Sequence, residues 1–286
     1  MKVSMVLPVH NGAAYLPAAI ESVLTQSFHD FELICVDDGS SDESPRILAR
    51  YAANDPRIRI ITLSPNVGLP AALNRGFAAA RGAYHSWTSD DNMLDPAMLE
   101  TLVAALDAHP DIGVVHADYD VIDETGAFVR HVAVGPYEQL IYGNNIGACF
   151  LYRADVTAQT GGYDEGIMGA EDYDFWLRAA HQFRFLALPQ TLYAYRRHGG
   201  SLTAQRSRRN VALRDQILLR ELDSGFWTED KSERAAILRT MVYTNPWQPR
   251  FDLLAKSAAA APLAFIASIL EMARWVYYSL RQHLRG

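Results

Sequence analysis

The first 115 residues alternate between short apolar runs and segments whose apolar residues recur every three or four positions. Continuous apolar runs of this length predict buried strands, and the wider spacing predicts amphipathic helices. The predicted strands span residues 3–9, 31–36, 57–63, 84–88 and 112–115. The predicted helices between them span residues 13–25, 43–51 and 70–80. This alternation predicts βαβ units, and hence an α/β domain with a mostly parallel central sheet flanked by helices.

After residue 115 the pattern changes to strand-like segments around a Glu124-Thr125-Gly126 turn. Later segments predict two strands and one helix, at residues 147–152, 183–188 and 172–180. Within that helix the neighbours Phe175 and Trp176 are expected not to face inward together on one side of the helix. The second part of the domain is therefore expected to differ from simple βαβ repetition.

Only helical patterns follow in the remainder of the chain, which predicts a main domain of residues 1–203 and a helical C-terminal extension of residues 204–286. The composition is 49% hydrophobic and 21% charged, as in soluble globular proteins, and excludes a disordered or multi-span membrane protein. The net charge of −7 divides unevenly, because 13 basic and 25 acidic residues give −12 in the main domain while 13 and 8 give +5 in the extension. The two parts are expected to face different partners.

Cys35 and Cys149 lie inside apolar runs and are expected to be buried free thiols, which indicates a reducing, cytoplasmic compartment. The N-terminal apolar run is too short for a signal peptide, and no uncharged stretch of about 20 apolar residues predicts a transmembrane helix.

Residues 262–284 predict an amphipathic or apolar helix at the end of the extension. Its apolar side is formed by Leu263, Ile266, Leu270, Trp275 and Tyr278, and its cations are Arg274, Arg281 and Arg285. Such a helix suits peripheral contact with the inner face of a membrane, or a homodimer through the C-terminal helices. Packing onto the main domain is the alternative.

The first four predicted strands are each followed by a polar cluster. These clusters are His10-Asn11-Gly12, Asp37-Asp38-Gly39-Ser40, Asn66-Val67-Gly68 and Ser89-Asp90-Asp91-Asn92. In open α/β sheets, ligands bind at the carboxyl ends of the strands. Neighbouring carboxylates repel each other unless a cation or a donor lies between them, and a divalent metal with a phosphate ligand would supply that cation. A turn or a helix cap explains each acidic cluster by itself. It explains poorly why the clusters follow successive strands of one predicted sheet.

Seven segments of the sequence together resemble family 2 glycosyltransferases. The segments are VSMVLPVHNG (3–12), FELICVDDGS (31–40), NVG (66–68), TSDDN (88–92), GGYDE (161–165), EDYDFWLR (171–178) and YRRHGGS (195–201). They occur in the family's order and cover about 200 of the 286 residues. Single motifs of this kind are weak signals, whereas this many in order are a strong one.

The resemblance implies a GT-A fold with a Rossmann-like sheet, in which residues 1–115 bind the nucleotide sugar and residues 116–203 bind the acceptor. It also implies transfer of a sugar from a UDP- or dTDP-sugar to a hydroxyl of a glycan or lipid-linked acceptor, with inversion, in cell-surface polysaccharide synthesis. No nucleic-acid partner is expected. The implied cofactor is a divalent metal ion, Mn²⁺ or Mg²⁺.

The resemblance also assigns the donor site. The residues that match the family's nucleoside-binding positions are Pro8, Val9, Asn11, Asp38 and Asn66, and the Asp38 carboxylate would accept from the imide N–H of uracil or thymine. In the family's DXD triplet this sequence has Ser89 in place of the first aspartate. Asp91 is therefore the expected metal ligand, with Asp90 beside it near the ribose.

The YRRHGGS segment falls where the family brings a loop over the diphosphate. His198 is expected to bind the metal or a phosphate oxygen. Arg196 or Arg197 is expected to neutralise the leaving group by bidentate pairing. For His198, an exposed residue in a Gly-rich loop is the alternative.

The reaction requires a base that takes the proton of the acceptor hydroxyl. Asp172 matches the family's base, and its neighbour Glu171 replaces it if the alignment shifts by one residue. Acids at a helix N-terminus also complement the helix dipole, which is the purely structural explanation.

Two other enzyme classes are disfavoured by missing motifs. A sugar nucleotidyltransferase would need a Gly-rich loop with Arg near the N-terminus, and a dinucleotide-dependent dehydrogenase would need Gly-x-Gly-x-x-Gly after the first strand. The replacement of an aspartate by Ser89 leaves one non-enzymatic alternative open: a catalytically inactive scaffold that binds partners through its helical extension.

Overall fold

A computed structural model describes residues 1–201, 208–243 and 250–267. The chain divides into two compact units. The first contains residues 1–140 and 144–206, and the second contains residues 141–143 and 207–286. The boundary expected between residues 203 and 204 lies outside the described residues.

The first unit is an α/β domain, so the predicted fold class is confirmed. Its strands are β1 (Val3–Val9), β2 (Phe31–Asp38), β3 (Ile58–Leu63), β4 (Tyr84–Trp87), β5 (Met93–Leu94), β6 (Ile112–Ile122), β7 (Phe128–Val132), β8 (Cys149–Arg153) and β9 (Arg184–Arg196). Its helices are α1 (Leu16–Leu24), α2 (Ser44–Asn54), α3 (Leu69–Ala78), α4 (Met98–Ala108), α5 (Ala154–Thr160) and α6 (Glu171–Ala180). A 3₁₀ helix covers Tyr137–Tyr142.

One nine-stranded sheet runs in the order β3-β2-β1-β4-β8-β6-β9-β5, and β7 pairs with β6 outside this path. The strands from β3 to β4 are parallel, as the βαβ pattern predicts. Strand β8 runs antiparallel to both β4 and β6, whereas β6 and β9 are parallel. The half of the sheet built after residue 115 is therefore mixed.

The core forms where the apolar runs predict it. Every residue of β1 is buried, as expected of a central strand covered on both faces. Helix α1 turns Leu16, Ile20 and Val23 towards this strand layer in one hydrophobic cluster. Cys35 and Cys149 are free and buried, as predicted.

Two strands are longer than the sequence pattern suggests. Strand β6 continues past residue 115 to Ile122, and β9 continues past residue 188 to Arg196. The polar side chains of His116 and Asp118 end the apolar run, yet both residues are buried in the sheet. Pairing between β6 and β9 extends to the register Ile122 with Arg196, which brings the chain after β9 to the end of the sheet.

Phe175 and Trp176 are both fully buried, but they pack against different neighbours. The Phe175 ring stacks on Tyr163 at 4.5 Å between centroids, whereas Trp176 meets the edge of Phe150 at 4.8 Å. Helix α6 is buried on nearly all sides, and such a helix places neighbouring residues in different parts of the core.

The second unit contains the helices α7 (Arg208–Ser224), α8 (Lys231–Tyr243), α9 (Phe251–Ala260) and α10 (Pro262–Ala267). Asp215 is 1% exposed there and pairs with Arg214 and Arg250, each at 2.9 Å. Of the predicted helix 262–284, residues 268–284 lie outside the described residues. Within the described ranges, no helix combines the length and apolarity that crossing a membrane requires.

His116 makes the stability of the fold depend on pH. Burial lowers the pKa of this histidine from 6.5 to about 4, so the folded protein keeps it neutral while the unfolded chain protonates it. The neutral His116 side chain contributes fully to the free energy of unfolding above pH 6.5, and this contribution is lost as the pH falls towards 4. We expect the difference in unfolding free energy between wild type and His116→Leu to fall by about 2 kcal/mol from pH 7 to pH 5 in urea titrations.

Val115 of the same strand cannot titrate and provides the matched control. The corresponding difference for Val115→Ala should not vary over the same pH range. A constant difference for His116→Leu would show that this histidine is not buried in the neutral form.

Candidate active site

The loops after β1 and β2 and the loop before α3 are joined by hydrogen bonds. His10 Nδ1 donates to the Asp38 carbonyl at 2.8 Å, and Asn66 Nδ2 donates to the same carbonyl at 3.0 Å. Asn11 adopts a left-handed backbone conformation with φ of 55°, and its Oδ1 accepts from the Ser41 N–H at 2.8 Å. Three of the four predicted polar clusters therefore meet at one edge of the sheet.

Pro8 and Val9 lie at the end of β1, paired with Val36 and Asp37 of β2. The Asp38 carboxylate is 3% exposed, and its two oxygens accept from the backbone N–H groups of the next loop. The donors are Val67 at 2.8 Å and Gly68 at 2.9 Å. Asp38 thus holds that loop in place. Each of its oxygens keeps a lone pair that can accept a further hydrogen bond. The expected contact between Asp38 and the base of the nucleotide stays a prediction.

Asp90 lies against the loop after β1. Its Oδ2 accepts from the His10 N–H at 3.3 Å, and a methyl group added at Gly12 would lie 2.0 Å from the same oxygen. Only glycine allows this approach. Burial, together with the charge of Asp91, raises the pKa of Asp90 from 3.8 to about 7. A cation placed here would relieve the repulsion between the two carboxylates.

The two residues expected to bind the metal lie side by side although 107 positions separate them. His198 Nε2 is 2.9 Å from Asp91 Oδ2, and the Asp91 Oδ1 atom is buried without a hydrogen-bond partner. The His198 ring also lies 5.0 Å from the ring of Tyr15. An unsatisfied carboxylate oxygen beside an imidazole fits a divalent ion such as Mn²⁺.

Within the described residues, no group of three or more His, Cys, Asp or Glu side chains is arranged to hold a metal. Asp91 and His198 would supply two ligands. A cation held by this pair would need further ligands from its substrate or from water, as is usual for ions that bind phosphates.

The two arginines of the YRRHGGS segment differ in environment. Arg196 is 5% exposed, its Nε donates to the Asp91 carbonyl at 2.9 Å, and its guanidinium lies 4.7 Å from the centre of the Tyr15 ring. Its Nη1 donates to the Asp123 carbonyl at 3.1 Å. Arg196 therefore holds the loop that carries Asp91, whereas Arg197 is exposed.

Glu171 and Asp172 begin helix α6 in different surroundings. Glu171 is 6% exposed and its Oε2 accepts from the Gly169 N–H, whereas Asp172 is half-buried. Asp172 Oδ1 accepts from the Tyr173 N–H at 2.7 Å, and its Oδ2 accepts from Asn144 Nδ2 at 2.9 Å. Burial raises the pKa of both carboxyls, and the charge of Asp172 raises that of Glu171 further.

Two tyrosines link the acidic pair to the rest of the site. Burial raises the pKa of Tyr119 and Tyr163, and the charge of Asp172 contributes to both shifts. The Tyr163 hydroxyl accepts from Trp87 Nε1 at 2.9 Å, at the end of β4 that leads into the acidic loop. The charge of Asp172 thus acts on a tyrosine that is hydrogen-bonded to the end of β4.

Sequence reasoning missed three residues of this site. Asn144 contacts Asp172, and Tyr15 contacts both Arg196 and His198. Asn74 of α3 holds the GGYDE segment through the Tyr163 backbone at 2.8 and 2.9 Å. The only local signal is the Asn144-Asn145 pair in a short polar loop between glycines.

Comparison with known proteins places the chain in a family. The model of glycosyl transferase family 2 matches residues 4–161, more than half of the chain. The chain is 33% identical over 202 residues to the putative glycosyltransferase EpsE of Bacillus subtilis, covering 68% of this chain and 73% of that protein. It is 28% identical over 200 residues to the chondroitin synthase of Escherichia coli, covering 69% and 29%. Three longer curated relatives are 31 to 36% identical, and the chain spans only 23 to 31% of their length.

Solved structures agree with this fold. S. aureus TarS in complex with UDP-GlcNAc matches with a TM-score of 0.66 at 18% identity, over 93% of this chain and 89% of that chain. The mannosyltransferase PcManGT of Pyrobaculum calidifontis, in complex with GDP-Man and Mn²⁺, matches with a TM-score of 0.62 at 19% identity, over 99% and 84%. The fold is therefore that of the GT-A glycosyltransferases. The chain belongs to glycosyl transferase family 2, as its motifs predicted.

Proposed function

We propose that this chain is an inverting glycosyltransferase that moves a sugar from a UDP- or dTDP-sugar to a hydroxyl of a glycan or lipid-linked acceptor. Family membership supports the transfer of a sugar. The observation that carries the donor half of the proposal is the Asp91 and His198 pair, with its buried, unpartnered carboxylate oxygen at the end of the parallel strands.

The proposed donor site is formed by the loops at the carboxyl ends of the strands. Pro8, Val9, Asn11, Asp38 and Asn66 surround the nucleoside, and Asp90 lies near the ribose. Asp91 and His198 hold a divalent ion, whose charge stabilises the departing diphosphate when it is bound. We assign Arg196 to the support of this loop, because its guanidinium already donates to backbone carbonyls, and assign contact with the diphosphate to the exposed Arg197.

The proposed base is Asp172. It is more exposed than Glu171, whose carboxylate is buried and accepts from Gly169. As the acceptor oxygen bonds to the anomeric carbon, Asp172 takes the hydroxyl proton and the bond from the sugar to the diphosphate breaks. This single displacement inverts the anomeric configuration and needs no nucleophile from the protein.

The biological setting proposed is cell-surface polysaccharide synthesis at the cytoplasmic face of the membrane. The similarity to a chondroitin synthase supports a polysaccharide product. We propose residues 1–203 as the catalytic domain, with a donor half to residue 115, and residues 204–286 as an extension that contacts a membrane or a second copy. Leu263 and Ile266 of α10 support such a contact, because they are 84% and 60% exposed.

A donor screen tests the proposal. The full chain is incubated with UDP-glucose, UDP-N-acetylglucosamine, dTDP-glucose and GDP-mannose, with Mn²⁺ or with a chelator, and nucleotide release is measured with water or glycan acceptors. We expect release from a UDP- or dTDP-sugar that depends on the metal. Absence of both turnover and metal-dependent nucleotide binding across the panel would instead support the inactive scaffold.

A further inference from the structure

The loop before β8 reaches the acidic pair through a single side chain. Asn144 Nδ2 donates to Asp172 Oδ2 at 2.9 Å, although 28 positions separate the two residues in the chain. The other oxygen of Asp172 accepts from the N–H of its own neighbour, Tyr173. Both carboxylate oxygens are thereby fixed, one by the helix itself and one by Asn144.

The loop is held in place by contacts other than this one. Asn145 Nδ2 donates to the Pro136 carbonyl at 2.6 Å, and the Asn145 carbonyl accepts from the Gly135 N–H at 3.3 Å. The Ile146 side chain is completely buried. The Asn144 side chain is exposed, and besides its bond to Asp172 its Oδ1 accepts from the Ile146 N–H at 3.3 Å. The contacts of Asn145 and the burial of Ile146 still hold the loop when Asn144 is changed.

We propose that Asn144 is a positioning residue for the general base, which orients the Asp172 carboxylate so that a free lone pair of Oδ2 faces the acceptor hydroxyl. This inference rests on the proposed role of Asp172. Because a carboxylate accepts hydrogen bonds in several directions, a single bond from Tyr173 leaves the carboxylate free to rotate. The bond from Asn144 removes that freedom, and misplacement of a catalytic group costs rate even when substrate binding is unchanged.

The same bond has an electrostatic consequence. Burial raises the pKa of Asp172, while the N–H of Tyr173 and the amide of Asn144 oppose this shift by donating to the ionised form. Among the described residues, the titratable groups that interact with Asp172 include Glu171 on the same helix, Tyr119 on β6 and Tyr163 before α6. None of these three groups carries a positive charge. The ionised base is favoured by three N–H donors, which are the amide of Asn144 and the backbone N–H groups of Asp172 and Tyr173.

The test compares Asn144→Ala with its neighbour Asn145→Ala, which removes a side chain from the same loop without touching the base. Asn144→Gln restores an amide on a longer side chain. The pKa of Asp172 is measured without any ligand, from the pH titration of ¹³C-labelled aspartate carboxyl signals, with Asp172→Asn assigning the resonance. The pH profile of kcat is measured with the donor that gives turnover in the screen, under saturating donor.

We expect Asn144→Ala to raise the titration midpoint of Asp172 by about one pH unit, the size of a lost charge-assisted hydrogen bond. The acid limb of the kcat profile should move by the same amount, and kcat at its plateau should fall by about 10-fold, with the donor KM unchanged. Asn144→Gln should recover part of both effects. Asn145→Ala should lower the melting temperature but leave the Asp172 midpoint in place.

Three results would overturn the inference in distinguishable ways. If Asp172→Asn abolishes turnover while Asn144→Ala leaves both the midpoint and kcat unchanged, Asn144 does not position the base and the proposed function stands. If Asp172→Asn itself is fully active, the base lies elsewhere and the role of Asn144 is lost with it. An equal shift of the midpoint in Asn145→Ala would assign the effect to the loop as a whole.

Discussion

Asp172→Asn is expected to lower kcat by about 100-fold or more, with donor binding nearly unchanged. Asparagine keeps the shape of the side chain but has a single acceptor oxygen, so it retains only one of the bonds from Tyr173 and Asn144. It cannot take the proton of the acceptor hydroxyl. Since the carboxylate is assigned to the acceptor side of the reaction, the loss should appear in the chemical step and not in the affinity for the nucleotide. The measurement is steady-state kinetics together with calorimetric titration of UDP.

Glu171→Gln is the matched control for this prediction. The buried Glu171 carboxylate accepts from the Gly169 backbone, so its replacement should affect stability more than kcat. If Glu171→Gln is the crippling change and Asp172→Asn is nearly silent, the base is Glu171 and the reaction class is retained. If both variants keep full activity with a turned-over donor and acceptor, the proposed mechanism is wrong.

Asp91→Ala is expected to weaken the Mn²⁺-dependent binding of UDP by about 100-fold or more. Removal of the carboxylate leaves His198 as a lone ligand, so the charge of the diphosphate is no longer compensated in this partly buried site. Binding measured with a chelator present should change little. Asp38→Ala should instead weaken nucleotide binding with or without the metal, because Asp38 holds the loop of Val67 and Gly68.

Asp111→Ala serves as the control for net charge. Strand β8 is antiparallel to both β4 and β6, so β4 and β6 point in the same direction. Asp91 follows the end of β4, whereas Asp111 precedes the start of β6, so the two residues lie at opposite ends of the strands. It also pairs with Arg184 on the surface, with a side chain that is 58% exposed. This variant should bind UDP and Mn²⁺ as the wild type does. If the affinity of Asp91→Ala stays within a factor of two of the wild type, the metal is bound elsewhere.

The residues of the candidate site were predictable from the sequence where they lie in short motifs that follow one another in the family's order. The clusters after β1, β2 and β4 follow apolar runs, and parallel strands bring such ends to one edge. The meeting of Asp91 with His198 followed from the resemblance and not from any local pattern. The supporting role of Arg196 was not predictable, because its partners are backbone carbonyls of Asp91 and Asp123, and backbone groups carry no sequence signal.

The sequence by itself determined the parallel half of the sheet, the free buried cysteines and the family, because these depend on apolar periodicity and on the order of short motifs. Only the tertiary structure decided the length of β6 and β9, the burial of both Phe175 and Trp176, and the contact of Asn144 with Asp172. Buried polar residues such as His116 look like loop residues in a sequence, since their burial comes from strands distant in the chain. Pairing across 28 or 107 positions depends on how the strands are ordered, which no local pattern contains.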